Sequence, residues 1–100
     1  MNNKYYKMKK QREFKSFGDM VFTPISNHHN GCIAGTKFHN NYSIIVWGGI
    51  DGQPADGANT YNVRMINNKG NPYRFNGQIT LKQQSIDDII GIMEHFQRKP

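Results

Sequence analysis

Apolar positions along the chain fall into two periods. In SIDDIIGIMEHFQRK, residues 85–99, Ile86, Ile89, Ile90, Met93 and Phe96 fall at i, i+3, i+4, i+7 and i+10, one stripe of a helix. Ser85 stands where an N-cap belongs, and Asp88 three residues later completes a capping box. Asp87 and Asp88 sit at the positive end of the helix dipole, Arg98 and Lys99 at its negative end. The spacing predicts a helix over residues 86–98. Five such side chains buried are worth roughly 8–15 kcal/mol gross, before chain entropy is subtracted.

Upstream the period is two. In residues 60–66, TYNVRMI, Tyr61, Val63 and Met65 share one face while Asn62 and Arg64 take the other. Residues 20–25 (MVFTPI), 32–38 (CIAGTKF) and 42–47 (YSIIVW) are further strand candidates, and Pro24 confines the first to an edge or a strand end. Residues 73–75 and 78–81 are shorter ones. NHHNG, HNN and NNKGNP break the pattern as turns. This order predicts an α+β domain: a curved antiparallel β-sheet of four or five strands in meander order, carrying one C-terminal amphipathic helix. The run Ile44, Ile45, Val46, Trp47 is unbroken, the mark of a strand covered on both faces. One helix covers only one face. A barrel-like curl, or a homodimer through the sheet, is therefore expected to cover the other.

Composition narrows the class. One hundred residues fit one domain, and 36% hydrophobic content with a mean hydropathy of −0.77 is low for a globular chain. An aromatic share of 12% keeps it out of the disordered range. Cys32 stands alone, which excludes an internal disulfide and fits a reducing compartment. No apolar run is long enough to span a bilayer, and residues 1–10 lack the apolar core of a signal peptide. A cytoplasmic protein with no membrane partner is expected.

The charge is concentrated. Of the net +6, Lys4, Lys7, Lys9, Lys10, Arg12 and Lys15 against Glu13 supply +5. Residues 1–17 thus read as a basic, aromatic N-terminal segment, either an edge strand or a segment that orders on binding. Residues 18–100 read as the single domain. The basic residues alternate with Tyr5, Tyr6, Phe14 and Phe17, so rings can stack on bases while cations neutralise phosphates, the combination used by single-strand binders. Tyr61, Arg64, Tyr73 and Arg74 extend that surface from the sheet.

Other chemistry is excluded by spacing. His28, His29, Cys32 and His39 form H-x-x-C-x₆-H, which lacks a fourth zinc ligand. Cys32 beside His29 has no carboxylate to orient the base of a nucleophilic pair. The segment GGIDGQPADGAN, residues 48–59, lacks the lysine and the helix of a phosphate loop. It also lacks the closing glutamate of an EF-hand, and no βαβ unit surrounds it. No metal and no cofactor are expected. What remains is a connection of about twelve residues where hairpins usually take two to five. It is either a neutral, mobile loop or a recognition loop carrying Asp51, Gln53, Asp56 and Asn59. Asp87 and Asp88 are accounted for by capping, and Asp51, Asp56 and Glu94 have no acidic neighbour in sequence, so no acid–base pair is apparent and no enzyme is expected. The function expected from these residues is non-enzymatic binding of nucleic acid or a nucleoprotein through the basic N-terminus.

NYSIIVWGG, the Gly-rich loop, YNVRMINNKG and ITLKQQSIDDIIGIMEHFQ, spanning about residues 42–97, resemble a loose group of small phage and prophage proteins. The shared pattern is structural, so the resemblance implies no catalytic residue. The element order is also similar to that of single-strand binders of the positive-cofactor family. A phage-like origin implies a further alternative, an inhibitor of a host defence protein that acts by direct binding, as anti-CRISPR proteins do. The loop and the basic segment would then be its contact surfaces.

Overall fold

The computed structural model describes residues 14–100. Five strands, β1 (Thr23–Pro24), β2 (Cys32–Lys37), β3 (Ser43–Gly48), β4 (Thr60–Ile66) and β5 (Thr80–Ser85), lead directly into a helix, α1 (Ile86–Gln97). The strands pair antiparallel in chain order, which makes an α+β meander with one closing helix, as the periodicity predicts. The sheet does not close into a barrel. β1 and β5 remain its two edges, and Pro24 is tolerated in β1 because it lies on an edge strand.

β4 keeps its predicted alternation, with Tyr61, Val63 and Met65 buried beneath α1. From the helix, Ile89, Met93 and Phe96 close that layer at 0–2% exposure. The capping box is formed: Ser85 Oγ accepts from Asp88 N–H at 3.1 Å, and Asp88 Oδ2 accepts from Ser85 N–H at 3.0 Å. At the other end the Asn40 amide donates to the carbonyls of Phe96 (2.7 Å) and Lys99 (3.0 Å), so the β2–β3 turn ties down the C-terminal end of the helix and the residues after it.

Two helix positions depart from the predicted stripe. Ile90 is 40% exposed, whereas Gln97 is 2% exposed. The chain enters the domain along that flank, and its Lys15 N–H and C=O need partners. The Gln97 amide supplies both, accepting from Lys15 N–H and donating to Lys15 O, each at 2.7 Å.

Of the segments expected as strands at 73–75 and 78–81, residues 80–81 open β5, whereas 73–75 and 78–79 flank an Asn-Gly turn. Asn76 and Gly77 take φ of 51° and 86°, and Phe75 and Gln78 exchange two backbone hydrogen bonds of 2.7 and 3.0 Å. β5 begins at Thr80. Tyr73 and Phe75 fold onto Phe96, with ring centroids 4.9 and 5.9 Å away.

The barrel-like curl expected over β3 does not form. Ile44 and Val46 are fully buried under α1, but Ile45 and Trp47 point to the opposite side, which no described element covers. The second face of this strand carries apolar side chains too, and among the described residues that face is open.

Candidate nucleic-acid interface

Register fixes what the open face carries. Ile33, Trp47 and Asn62 stand in one rung across β2, β3 and β4. Gly35, Ile45, Arg64 and Thr80 form the next, and Lys37, Ser43 and Ile66 the third. Lys82 joins them from β5, beside Trp47 and Thr80. These positions hold three cations and no carboxylate.

Trp47 divides the face into two shallow depressions. One, of about 310 Å³, is bounded by Ile25, Ile33, Ile45, Trp47 and Arg64. The other, of about 320 Å³, is bounded by Trp47, Gln53, Pro54, Asn62, Thr80 and Lys82. The Arg64 guanidinium lies over the indole, 5.5 Å from the ring centroid, and Nη2 donates to Thr80 Oγ1 at 2.9 Å. Its Nε is buried without an acceptor. A buried donor left unpaired costs about 1–3 kcal/mol, and an aliphatic side chain would fill the same space without that cost.

The polar depression is organised by an irregularity in β5. Lys82 and Gln83 together face the single residue Asn62, a β-bulge, and Gln83 adopts a left-handed φ of 53°. Asn62, 5% exposed, repairs the interrupted ladder by accepting from Gln83 N–H through Oδ1 at 3.3 Å. Its Nδ2 then donates to Gln53 Oε1 at 3.3 Å.

The Gly-rich connection is hydrogen-bonded internally. Gly49 N–H donates to Ala55 O and Gly57 N–H to Thr60 O, both at 2.9 Å. Gly48 and Gly57 pack backbone to backbone, and a Cβ on Gly48 would lie 2.7 Å from Gly57 Cα. Asp56 Oδ1 accepts from the N–H groups of Ala58 (2.9 Å), Asn59 (2.7 Å) and Thr60 (3.0 Å). Those bonds, that from Thr60 foremost, hold its carboxyl far below the usual carboxylate range. A depressed folded-state pKa means that this order is complete above the unfolded value, about 3.9, and is lost as pH falls through the lower folded value. Asp56→Ala is expected to speed exchange of the Ala58, Asn59 and Thr60 amides at neutral pH, read by NMR hydrogen exchange. Unchanged protection would show that the backbone holds the loop alone.

Of the residues named from sequence, Lys4, Tyr5, Tyr6, Lys7, Lys9, Lys10 and Arg12 lie outside the described residues. Lys15 is exposed on the flank of α1, Phe14 stacks on His39 at 5.4 Å, and Phe17 packs against Phe22 and Tyr61. Tyr61 and Tyr73 are not surface stacking groups. Tyr61 is 7% exposed, with its hydroxyl pKa raised by burial, and Tyr73 belongs to the Phe96 cluster. Both have the inward parity of their segments. Arg74 is exposed on the Asn-Gly turn and donates to Gly77 O at 3.2 Å, whereas Arg64 is on the open face. Of the four loop residues named from sequence, Gln53 alone lines that face. Asp51 lies 3.7 Å from His28 Nδ1, and Asp56 and Asn59 bond within the loop. Among the described residues no three His, Cys, Asp or Glu side chains converge as a metal site would require.

No family model, curated protein or solved structure matches the chain. The resemblance to small phage proteins therefore rests on its sequence motifs. No helix among the described residues is long and apolar enough to cross a membrane. A larger groove, about 490 Å³, runs between Leu81, Ile92 and the Phe96 cluster, but Asp87 and Asp88 stand on its rim and would repel a polyanion.

Proposed function

We propose that this chain is a non-enzymatic, cytoplasmic binding protein that takes single-stranded nucleic acid, free or within a nucleoprotein, on the open face of its sheet. The observation that carries this reading is the pairing of Trp47 with Arg64 on a face where, among the described residues, the strand positions carry only positive charges. An indole offers a stacking surface to any base, and Arg64, Lys82 and Lys37 offer phosphate contacts beside it. The basic segment of residues 1–15 adds long-range attraction and further phosphate neutralisation. A second copy of the chain on the same face is disfavoured, because these cations would meet their own counterparts across a two-fold axis.

Trp47 is the only tryptophan in the chain, so its fluorescence reports this face directly. Titrating a short single-stranded oligonucleotide at low salt is expected to quench it. With about five phosphates neutralised, log K should fall against log[salt] with a slope of roughly −3.5 to −4.5. Replacing Lys4, Lys7, Lys9 and Lys10 together by alanine should make that slope shallower by about 3. Absence of quenching, or a flat salt dependence, would overturn the reading.

A second reading, inhibition of a host defence protein by direct contact, draws on the apolar depression at Ile25, Ile33 and Ile45. It predicts capture of one dominant host protein that survives nuclease treatment of the lysate, with no quenching by oligonucleotide.

A further inference from the structure

The β1–β2 turn and the Gly-rich connection meet at two points. At the first, Gly49 takes φ of 75° and lies so close to the turn that a Cβ there would collide with Asn30 O. At the second, Asp51 N–H donates to His28 Nδ1 at 3.3 Å. The turn itself holds the His28 backbone, since Gly31 N–H donates to His28 O at 3.0 Å and His28 N–H to Ile25 O at 3.4 Å. A peptide N–H can only donate, so the ring atom that meets it must be a nitrogen with a free lone pair. Nδ1 is therefore bare, the ring proton sits on Nε2, and His28 is neutral in this contact. The Asp51 carboxylate stands nearby, with Oδ2 3.7 Å from Nδ1, too far for a hydrogen bond. Of the other titratable groups on these two segments, His29 is exposed and Asp56 is bonded within the loop. Among the described residues Asp51 supplies the one carboxylate within ion-pair distance of His28.

We infer that His28 and Asp51 form a proton-sensitive latch between the β1–β2 turn and the Gly-rich connection, with one arm reaching the open face. Protonation leaves no lone pair on either ring nitrogen, so Nδ1 changes from acceptor to donor and its bond to Asp51 N–H is lost. The acceptor that then lies nearest is the carboxylate of the same residue. Closing from 3.7 Å to a charge-assisted hydrogen bond of about 2.8 Å draws Asp51 toward the ring by about 1 Å. A backbone contact is thus exchanged for a side-chain contact at one position. The tight turn that follows carries the exchange onward. Gln53 N–H donates to Ile50 O at 3.0 Å, and the Gln53 side chain accepts from Asn62 Nδ2 and lines the depression beside Trp47. Gly49, pressed against Asn30, is the pivot. The latch needs no ligand and stands apart from the nucleic-acid reading.

The test is a pH titration of the full chain between about pH 5 and 8, the range in which imidazoles change charge. Two-dimensional NMR follows the backbone amides and the histidine rings, and Trp47 emission is read on the same samples. The Asp51 amide is expected to shift with the same midpoint as the His28 ring. Its protection from exchange, corrected for the intrinsic rate, should fall about two- to tenfold in the protonated state. His28→Asn puts an amide oxygen in the place of Nδ1, an acceptor that does not titrate, so the Asp51 amide should stay protected and stop responding. Asp51→Asn keeps the backbone N–H and removes the carboxylate, so the amide response should persist. Circular dichroism of both variants shows that the fold is retained. An Asp51 amide that stays flat overturns the latch, as does a response that His28→Asn leaves intact or Asp51→Asn abolishes. Trp47 emission is expected to change at the same midpoint and to lose that change in His28→Asn. An emission that stays flat overturns the coupling to the open face. No oligonucleotide enters these measurements, so their failure is distinct from failure of the nucleic-acid reading.

Discussion

Phe96→Ala is expected to lower the unfolding free energy by about 3–5 kcal/mol, much of what a domain of this size possesses. Phe96 is 2% exposed and joins three separate parts of the chain. Tyr42, at the start of β3, meets its ring at 5.6 Å, and Tyr73 and Phe75 from the Asn-Gly turn meet it at 4.9 and 5.9 Å. Its carbonyl takes the Asn40 amide that ties off α1. Truncation to alanine opens a cavity whose walls belong to different elements, so they cannot collapse together, and edge-to-face contacts are lost besides. For a domain of about this length the melting temperature should fall by at least about 12 °C. Thermal and urea melts followed by circular dichroism check this. A loss under about 1 kcal/mol would mean that the aromatic cluster is peripheral.

How much of this was legible beforehand depended on which signals were local. The capping box at Ser85 and Asp88, the alternation of β4 and, apart from Ile90, the helical stripe are set by neighbouring residues, and each formed at its expected place. The departures all come from tertiary partners that local spacing does not encode. Gln97 is buried because the returning backbone at Lys15 needs an amide, and no period along α1 announces that. Asn76-Gly77 is a hairpin signal readable in sequence, but it was obscured by reading the flanking aromatics as strands. The open face was missed for a different reason. A continuous apolar run does not tell which of its two faces the chain's own helix covers. Trp47 was thus assigned to the core and omitted as a binding residue. Lys82 and Asn62 were missed because the bulge that brings them to Trp47 has no signature in the sequence around Gln83.

Trp47 and Arg64 should respond to mutation in the way functional residues do, with large changes in binding and small ones in stability. Trp47→Ala removes the stacking surface, and base–aromatic stacking is worth about 1–3 kcal/mol per base, or roughly five- to a hundred-fold in affinity. Its half-exposed indole contributes less to folding than the enclosed Phe96, so the melting temperature should move far less. Arg64→Met makes a sharper contrast. Methionine retains the aliphatic packing over Trp47 and deletes the buried Nε that has no acceptor. Stability is therefore expected to hold or to rise by up to about 1 kcal/mol, while affinity for a single strand falls about tenfold through loss of a phosphate contact. Labelled-strand anisotropy and urea melts on both variants provide the two readouts. Were Arg64→Met to destabilise the domain as much as Phe96→Ala does, Arg64 would be a structural residue and the open face would lose its main claim to a ligand. Stabilisation accompanied by weaker binding would instead identify Arg64 as a residue kept for the partner at a cost to the fold.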